Sequence, residues 1–187
     1  MQLDKIHHLQ AKDLTDHFDL EDHNLQYLDD EQSATELFEI LLSNNQYIDA
    51  VKLLSHALPN REAVWWACIC AKQHVKENSD ELSFQSLCAA EKWVYDPSEK
   101  NRRITEYFAE KGKYETAAAW LSAAAFWSGD SIVAENEPKV APAKYLYAHA
   151  VAGSILMSVS SEENDDFDDV FKKYLEHGIN IASGGNG

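Results

Sequence analysis

The chain has 187 residues, with 32 Asp+Glu against 16 Lys+Arg and a formal net charge of −16. A field of that sign repels phosphate backbones and anionic lipid head groups, so nucleic acid and membrane surfaces are poor partners and basic proteins are favoured ones. With 45% hydrophobic residues, 7 Gly and 4 Pro, the composition argues against disorder and against a turn-rich β fold, and predicts one helical domain with a full core.

Residues 1–30 read as an acidic arm carrying His7, His8, His17 and His23 among Asp13, Asp16, Asp19, Glu21 and Asp22. One short helix is expected there. The opening MQLDKIHHLQ has no basic segment followed by an apolar run, so no secretory signal is read and a cytoplasmic location is expected.

Residues 31–182 are expected to form a single all-α domain of about eight helices in four antiparallel hairpins. Ser33-x-x-Glu36 reads as a capping box opening the first, with Leu37, Phe38, Leu41 and Leu42 at helical spacing. Asn44-Asn45 breaks it. Tyr47, Val51, Leu54 and Leu58 line the second, which stops at Pro59. The third runs from Arg61 to about Lys76, and the fourth opens at Ser79 and ends at Asp96-Pro97. Ser98 caps the fifth, which Lys111-Gly112 closes with a left-handed glycine. The sixth spans Tyr114 to Trp127. After the loop at 130–140, Ala141 to Val159 forms a seventh helix. That stretch is about long enough to span a bilayer, but Lys144, His149 and its small residues favour a buried central helix. Ser160-Ser161 caps the eighth, whose carboxylates at Glu162, Glu163, Asp165, Asp166, Asp168 and Asp169 suit a positive helix start. The tail, 183–187, is expected to be flexible.

One pattern occurs twice. LLSNNQYIDAVKLLSHAL (41–58) and FAEKGKYETAAAWLSAAA (108–125) each place a polar turn before Tyr47 or Tyr114, then Ala50 or Ala117, Leu54 or Leu121, and Ala57 or Ala124. The tyrosines are 67 residues apart, near two units of about 34 residues. This spacing resembles tetratricopeptide hairpins, in which small residues let helices approach and aromatics fill the gap. The early Trp and Gly of that repeat are absent, and residues 61–95 carry no such signature. An irregular helical bundle is the alternative.

The strings REAVWWACICAK, AAAWLSAAAFWSGD and AVAGSIL resemble a family of small bacterial proteins without assigned chemistry. The resemblance covers roughly residues 55–158, and some members are encoded near type VI secretion components. It implies a bacterial source and a secretion context, and transfers no catalytic residue. The acidic arm is additional to that pattern.

Reaction machinery is sparse. No Gly-rich phosphate loop, His-Glu-x-x-His or Gly-x-Ser-x-Gly occurs. Cys68, Cys70 and Cys88 read as reduced, mostly buried thiols rather than a disulfide frame or zinc site. His74 lies four residues after Cys70, but nothing orients the pair for catalysis. The acidic run at 162–169 lacks the glycine turn and glutamate spacing of a calcium loop. No cofactor and no metal are expected.

The function expected is a non-enzymatic adaptor or chaperone, of the kind found as a secretion-system component. It would hold an amphipathic or basic segment of another protein in an apolar groove with an acidic rim. Arg61, Trp65, Trp66, Trp120, Trp127 and Tyr145 are the candidate partner-binding residues, because Trp and Arg concentrate binding energy. Adjacent tryptophans project about 100° apart on a helix, so Trp65 and Trp66 cannot face the same neighbour. The alternatives are a structural subunit assembling through the Ala141–Val159 helix (Tyr145, Tyr147, Ile155, Leu156, Met157), and an enzyme of unrecognised type. Converging histidines and carboxylates in a pocket would mark the latter.

Overall fold

The computed structural model describes residues 1–76, 80–162 and 166–187. The fold is all-α. Its helices are α1 (Ala11–Thr15), a 3-10 turn (Asp22–Tyr27), α2 (Ala34–Ser43), α3 (Tyr47–Ala57), α4 (Asn60–Ala71), α5 (Glu81–Tyr95), α6 (Glu99–Lys111), α7 (Ala117–Trp127), α8 (Leu146–Ser160) and α9 (Phe167–Ala182). Among the described residues the only extended pairing is an isolated bridge between Gln10 and Ser33.

Local chemistry sets most of the boundaries. At the start of α2 the Glu36 amide donates to Ser33 Oγ and the Ser33 amide donates to Glu36 Oε2, a complete capping box. Asp80 caps α5 by accepting from the Ser83 amide; Ser79 lies outside the described residues. Asp166, not Ser160-Ser161, caps α9; Glu163 and Asp165 lie outside the described residues.

Two starts differ from expectation. The helix expected from Tyr114 begins at Ala117, capped by Thr116, because Lys113 and Tyr114 are left-handed with φ of 50 and 57°. The helix expected from Ala141 begins at Leu146. Pro142 disfavours helical backbone at Ala141, and Tyr145 turns left-handed at φ 62°. Gly112 is itself not left-handed; its φ is −78°. It is needed for proximity instead, since a Cβ there would stand 2.7 Å from Ala119 Cβ.

α7 is enclosed on nearly every side. Its alanines let α6 and α8 approach closely, and only Trp120 and Trp127 of its side chains are partly exposed. α8 packs on α7, α4, α3 and α9. A stack of hairpins would bring each unit against its sequence neighbours alone. Here the chain folds back, and the arrangement is an irregular bundle around α7 and α8. On the face expected as an assembly interface Ile155 is fully buried and Tyr147 donates its hydroxyl to the Leu58 carbonyl, while Tyr145, Tyr147, Leu156 and Met157 are partly exposed. Among the described residues no helix is long and apolar enough to cross a membrane.

The arm joins the core: Leu3, Ile6, Leu14, Phe18 and Leu20 are buried within it. The tail is also held. The Gly187 amide donates to Asn180 Oδ1 at 2.8 Å, and the Asn186 carbonyl accepts from Trp65.

Candidate functional site

The tryptophan pair of α4 divides as helix geometry requires. Trp66 is 0% exposed and donates its indole N–H to the Tyr174 carbonyl at 2.7 Å. It is a core residue, so its candidacy for partner binding is withdrawn. Trp65 is half-buried and donates to the Asn186 carbonyl at 2.7 Å, with Tyr95 packed edge-on against it. Arg61 donates from Nε to the Val94 carbonyl at 2.6 Å. Both polar groups are thus used internally, and together they tie α4 to the tail and to the end of α5.

Trp120 and Trp127 behave differently. Seven residues apart on α7, they occupy one face and meet Tyr114 in a three-ring cluster. Ring centroids are 6.3 Å apart for Trp120–Trp127, 6.1 Å for Tyr114–Trp120 and 6.0 Å for Tyr114–Trp127. Tyr114 and Trp127 are nearly parallel, 14° apart. Tyr114 reaches this position through two successive left-handed non-glycine residues, a conformation that costs about 1–2 kcal/mol each. Neither indole N–H makes a hydrogen bond within the described residues, in contrast to Trp65 and Trp66. Desolvation and the carboxylates of Glu110 and Glu106 push the Tyr114 phenol above its ordinary pKa.

Tyr145 lies elsewhere, among histidines. Its ring is 4.8 Å from His17 and 5.5 Å from His56, and His56 is 4.8 Å from His149. These rings come from the arm, α3, α8 and the turn before α8. They stand beside a cavity of about 540 Å³ lined by His17, His56, His149, Asp16, Asp19 and Lys52, among others. His56 is 2% exposed; its Nδ1 meets the Lys52 carbonyl at 2.8 Å, so that nitrogen carries the proton and Nε2 is a buried acceptor with no partner among the described residues. Burial lowers its pKa to about 4, against the hydrogen bond to the Lys52 carbonyl and with help from His149 and His17. Gly153 connects the two regions: it lines this cavity, and a Cβ on it would stand 3.6 Å from the Trp120 ring.

Residues 37–182 match a family of unknown function, DUF6931. The chain belongs to DUF6931. No curated protein and no solved structure matches it. The DUF6931 segment runs from within α2 to the last residue of α9. It contains the three-ring cluster, His56 and His149, whereas His17, Asp16 and Asp19 come from the arm outside it.

Burial pushes Cys68 and Cys70 well above the ordinary thiol pKa, so neither is a ready nucleophile. Cys88 is exposed, so two of the three thiols are buried. Among the described residues no group of three or more His, Cys, Asp or Glu side chains is placed to hold a metal ion.

Sequence reasoning missed Tyr114, His56 and His149 as site residues. The repeated pattern did mark Tyr114, but as filler between helices. His56 and His149 sit far apart in sequence, and only the return of α8 onto α3 joins them.

Proposed function

We propose that this DUF6931 protein is a non-enzymatic adaptor or chaperone of the cytosol, serving as a component of a secretion system. It holds a basic or amphipathic segment of another protein on the exposed aromatic face of α7. One observation carries this reading: Trp120, Trp127 and Tyr114 form a partly exposed cluster whose indole donors are unused among the described residues, while the other candidate tryptophans spend theirs internally. Aromatic residues with free donors and fixed positions are the usual anchors of protein interfaces. The net charge of −16 favours a basic partner.

The test is photo-crosslinking in the native cell from a photoreactive amino acid at position 114. One discrete adduct, abolished by Trp120→Ala, is the expected result. Reproducible absence of any adduct would sink the reading.

A second reading, an enzyme of unrecognised type, draws on the cavity where His17, His56 and His149 stand with Asp16 and Asp19. Its test is a screen for metabolite turnover that His149→Gln abolishes while the fold is retained.

A further inference from the structure

The surface around the three rings has a specific chemical character. Cations of this chain already lie over aromatic rings elsewhere: Arg102 at 4.9 Å and Arg103 at 5.4 Å over Phe126, Lys111 over Tyr107, Lys144 over Tyr145 and Lys172 over Tyr47. Among the described residues none lies over Tyr114, Trp120 or Trp127, although indole is the best cation acceptor of the aromatic side chains.

The carboxylates nearby are unevenly used. Glu106 accepts from Arg103 Nη1 at 3.0 Å and is neutralised. Glu110, whose carbonyl accepts from the Lys113 amide at 3.0 Å in the turn that carries Tyr114, has no ion pair among the described residues, and neither has Glu115, next to Tyr114 in sequence. Lys111 is held over Tyr107, and neither it nor Lys113 makes an ion pair among the described residues. With Glu106 paired, Glu110 and Glu115 offset Lys111 and Lys113 across this turn, and it is the chain as a whole that is negative, at −16. One side of Trp120 is backed by Gly153. Tyr114, Trp120 and Trp127 are each partly exposed.

We propose that Tyr114, Trp120 and Trp127, with the unpaired carboxylate of Glu110, form a site for an arginine side chain of the partner protein. A guanidinium stacks flat on indole and phenol rings while its N–H fork reaches a carboxylate, a pairing an ammonium cannot reproduce in both parts. The unused indole N–H groups of Trp120 and Trp127 donate to carbonyls of the same partner segment. This assignment rests on the adaptor reading and specifies what that face recognises.

The experiment follows the indole N–H signals of the full chain by nuclear magnetic resonance, assigned with single Trp→Phe variants. The probes are N-acetyl-arginine amide and its neutral isostere N-acetyl-citrulline amide. The Trp120 and Trp127 signals are expected to move saturably with the arginine compound, with a half-saturation about tenfold lower than for citrulline. Glu110→Gln is expected to weaken the arginine response severalfold and leave the citrulline response unchanged. The signals of Trp65, Trp66 and Trp93 stay fixed. Equal responses to the two amides, no response to either, or shifts centred on Trp65 would each overturn the assignment. If crosslinking from position 114 finds a partner while the two amides behave alike, the arginine assignment falls and the adaptor reading stands. Saturation by arginine with no crosslinked protein gives the opposite division.

Discussion

Gly178 stands directly against the Trp66 indole. A Cβ on Gly178 would lie 2.7 Å from Trp66 Cε2 and 2.7 Å from Leu54 Cδ2. Two effects then oppose each other in Gly178→Ala. Helix propensity favours alanine by about 1 kcal/mol. The clash disfavours it, because the indole is pinned by its bond to the Tyr174 carbonyl and cannot retreat. Overpacking of this kind costs about 1–3 kcal/mol. Gly178→Ala is expected to lower the urea midpoint, whereas Gly184→Ala, with open space around its Cβ but φ +92°, would show backbone strain alone.

The adjacent tryptophans of α4 should separate cleanly in stability. Trp66→Ala removes a fully buried ring together with its hydrogen bond to the Tyr174 carbonyl, an expected loss of about 3–5 kcal/mol. Trp65→Ala loses a half-buried ring and one hydrogen bond to the tail, about 1 kcal/mol. Urea unfolding of the two variants checks the ranking, and a larger loss for Trp65 would contradict the placement of Trp66 in the core.

Acid should destabilise the protein through His56 before the carboxylates titrate. Its folded pKa is about 4, below the ordinary value of 6.5. Between those values the unfolded chain binds more protons than the folded one. The stability is therefore full above about pH 6.5 and falls as pH is lowered toward 4. From pH 7 to pH 5 the loss assigned to His56 is about 2 kcal/mol. His74 and His177, also held below their ordinary values by burial, act in the same direction. Unfolding free energies at pH 7, 6 and 5 should show a slope that His56→Phe reduces; an unchanged slope would refute a buried neutral His56.

The three thiols should differ in reactivity. Cys88 is exposed and Cys68 and Cys70 are buried with raised pKa values. Iodoacetamide at pH 8.5 is expected to add once to the native chain, at Cys88, and to reach the other two only in denaturant. Mass spectrometry of the intact protein counts the additions. Native labelling at Cys68 or Cys70 would show that α4 opens readily.

Much of the helical plan is legible in local pattern. Ser33 and Glu36 announce α2 because a capping box involves only residues three apart, and Pro59 and Pro97 mark chain breaks for a reason internal to proline. The alanines of α7 announce close packing for the same kind of reason. Local pattern misleads where one residue serves two purposes. Gly112 has the form of a left-handed helix end, yet it is small because Ala119 lies against it, and the left-handed turn passes to Lys113 and Tyr114. Pro142 signalled a later start for α8, but a long apolar run obscured it.

The candidate site is legible only in part. Trp120 and Trp127 share a face because their spacing of seven is two helical turns, a property of the chain alone. Whether that face is open depends on which helices cover α7, and those are distant in sequence. The same holds for Trp65 and Trp66: their divergence follows from helix geometry, while α9 and the tail decide which of them is buried. His17, His56, His149 and Tyr145 meet only because α8 returns against α3 beneath the arm. Hydrogen bonding and side-chain period act over a few residues, so they set helices, caps and faces. Exposure, pKa and the grouping of remote side chains come from long-range burial, which exists only once the helices have packed.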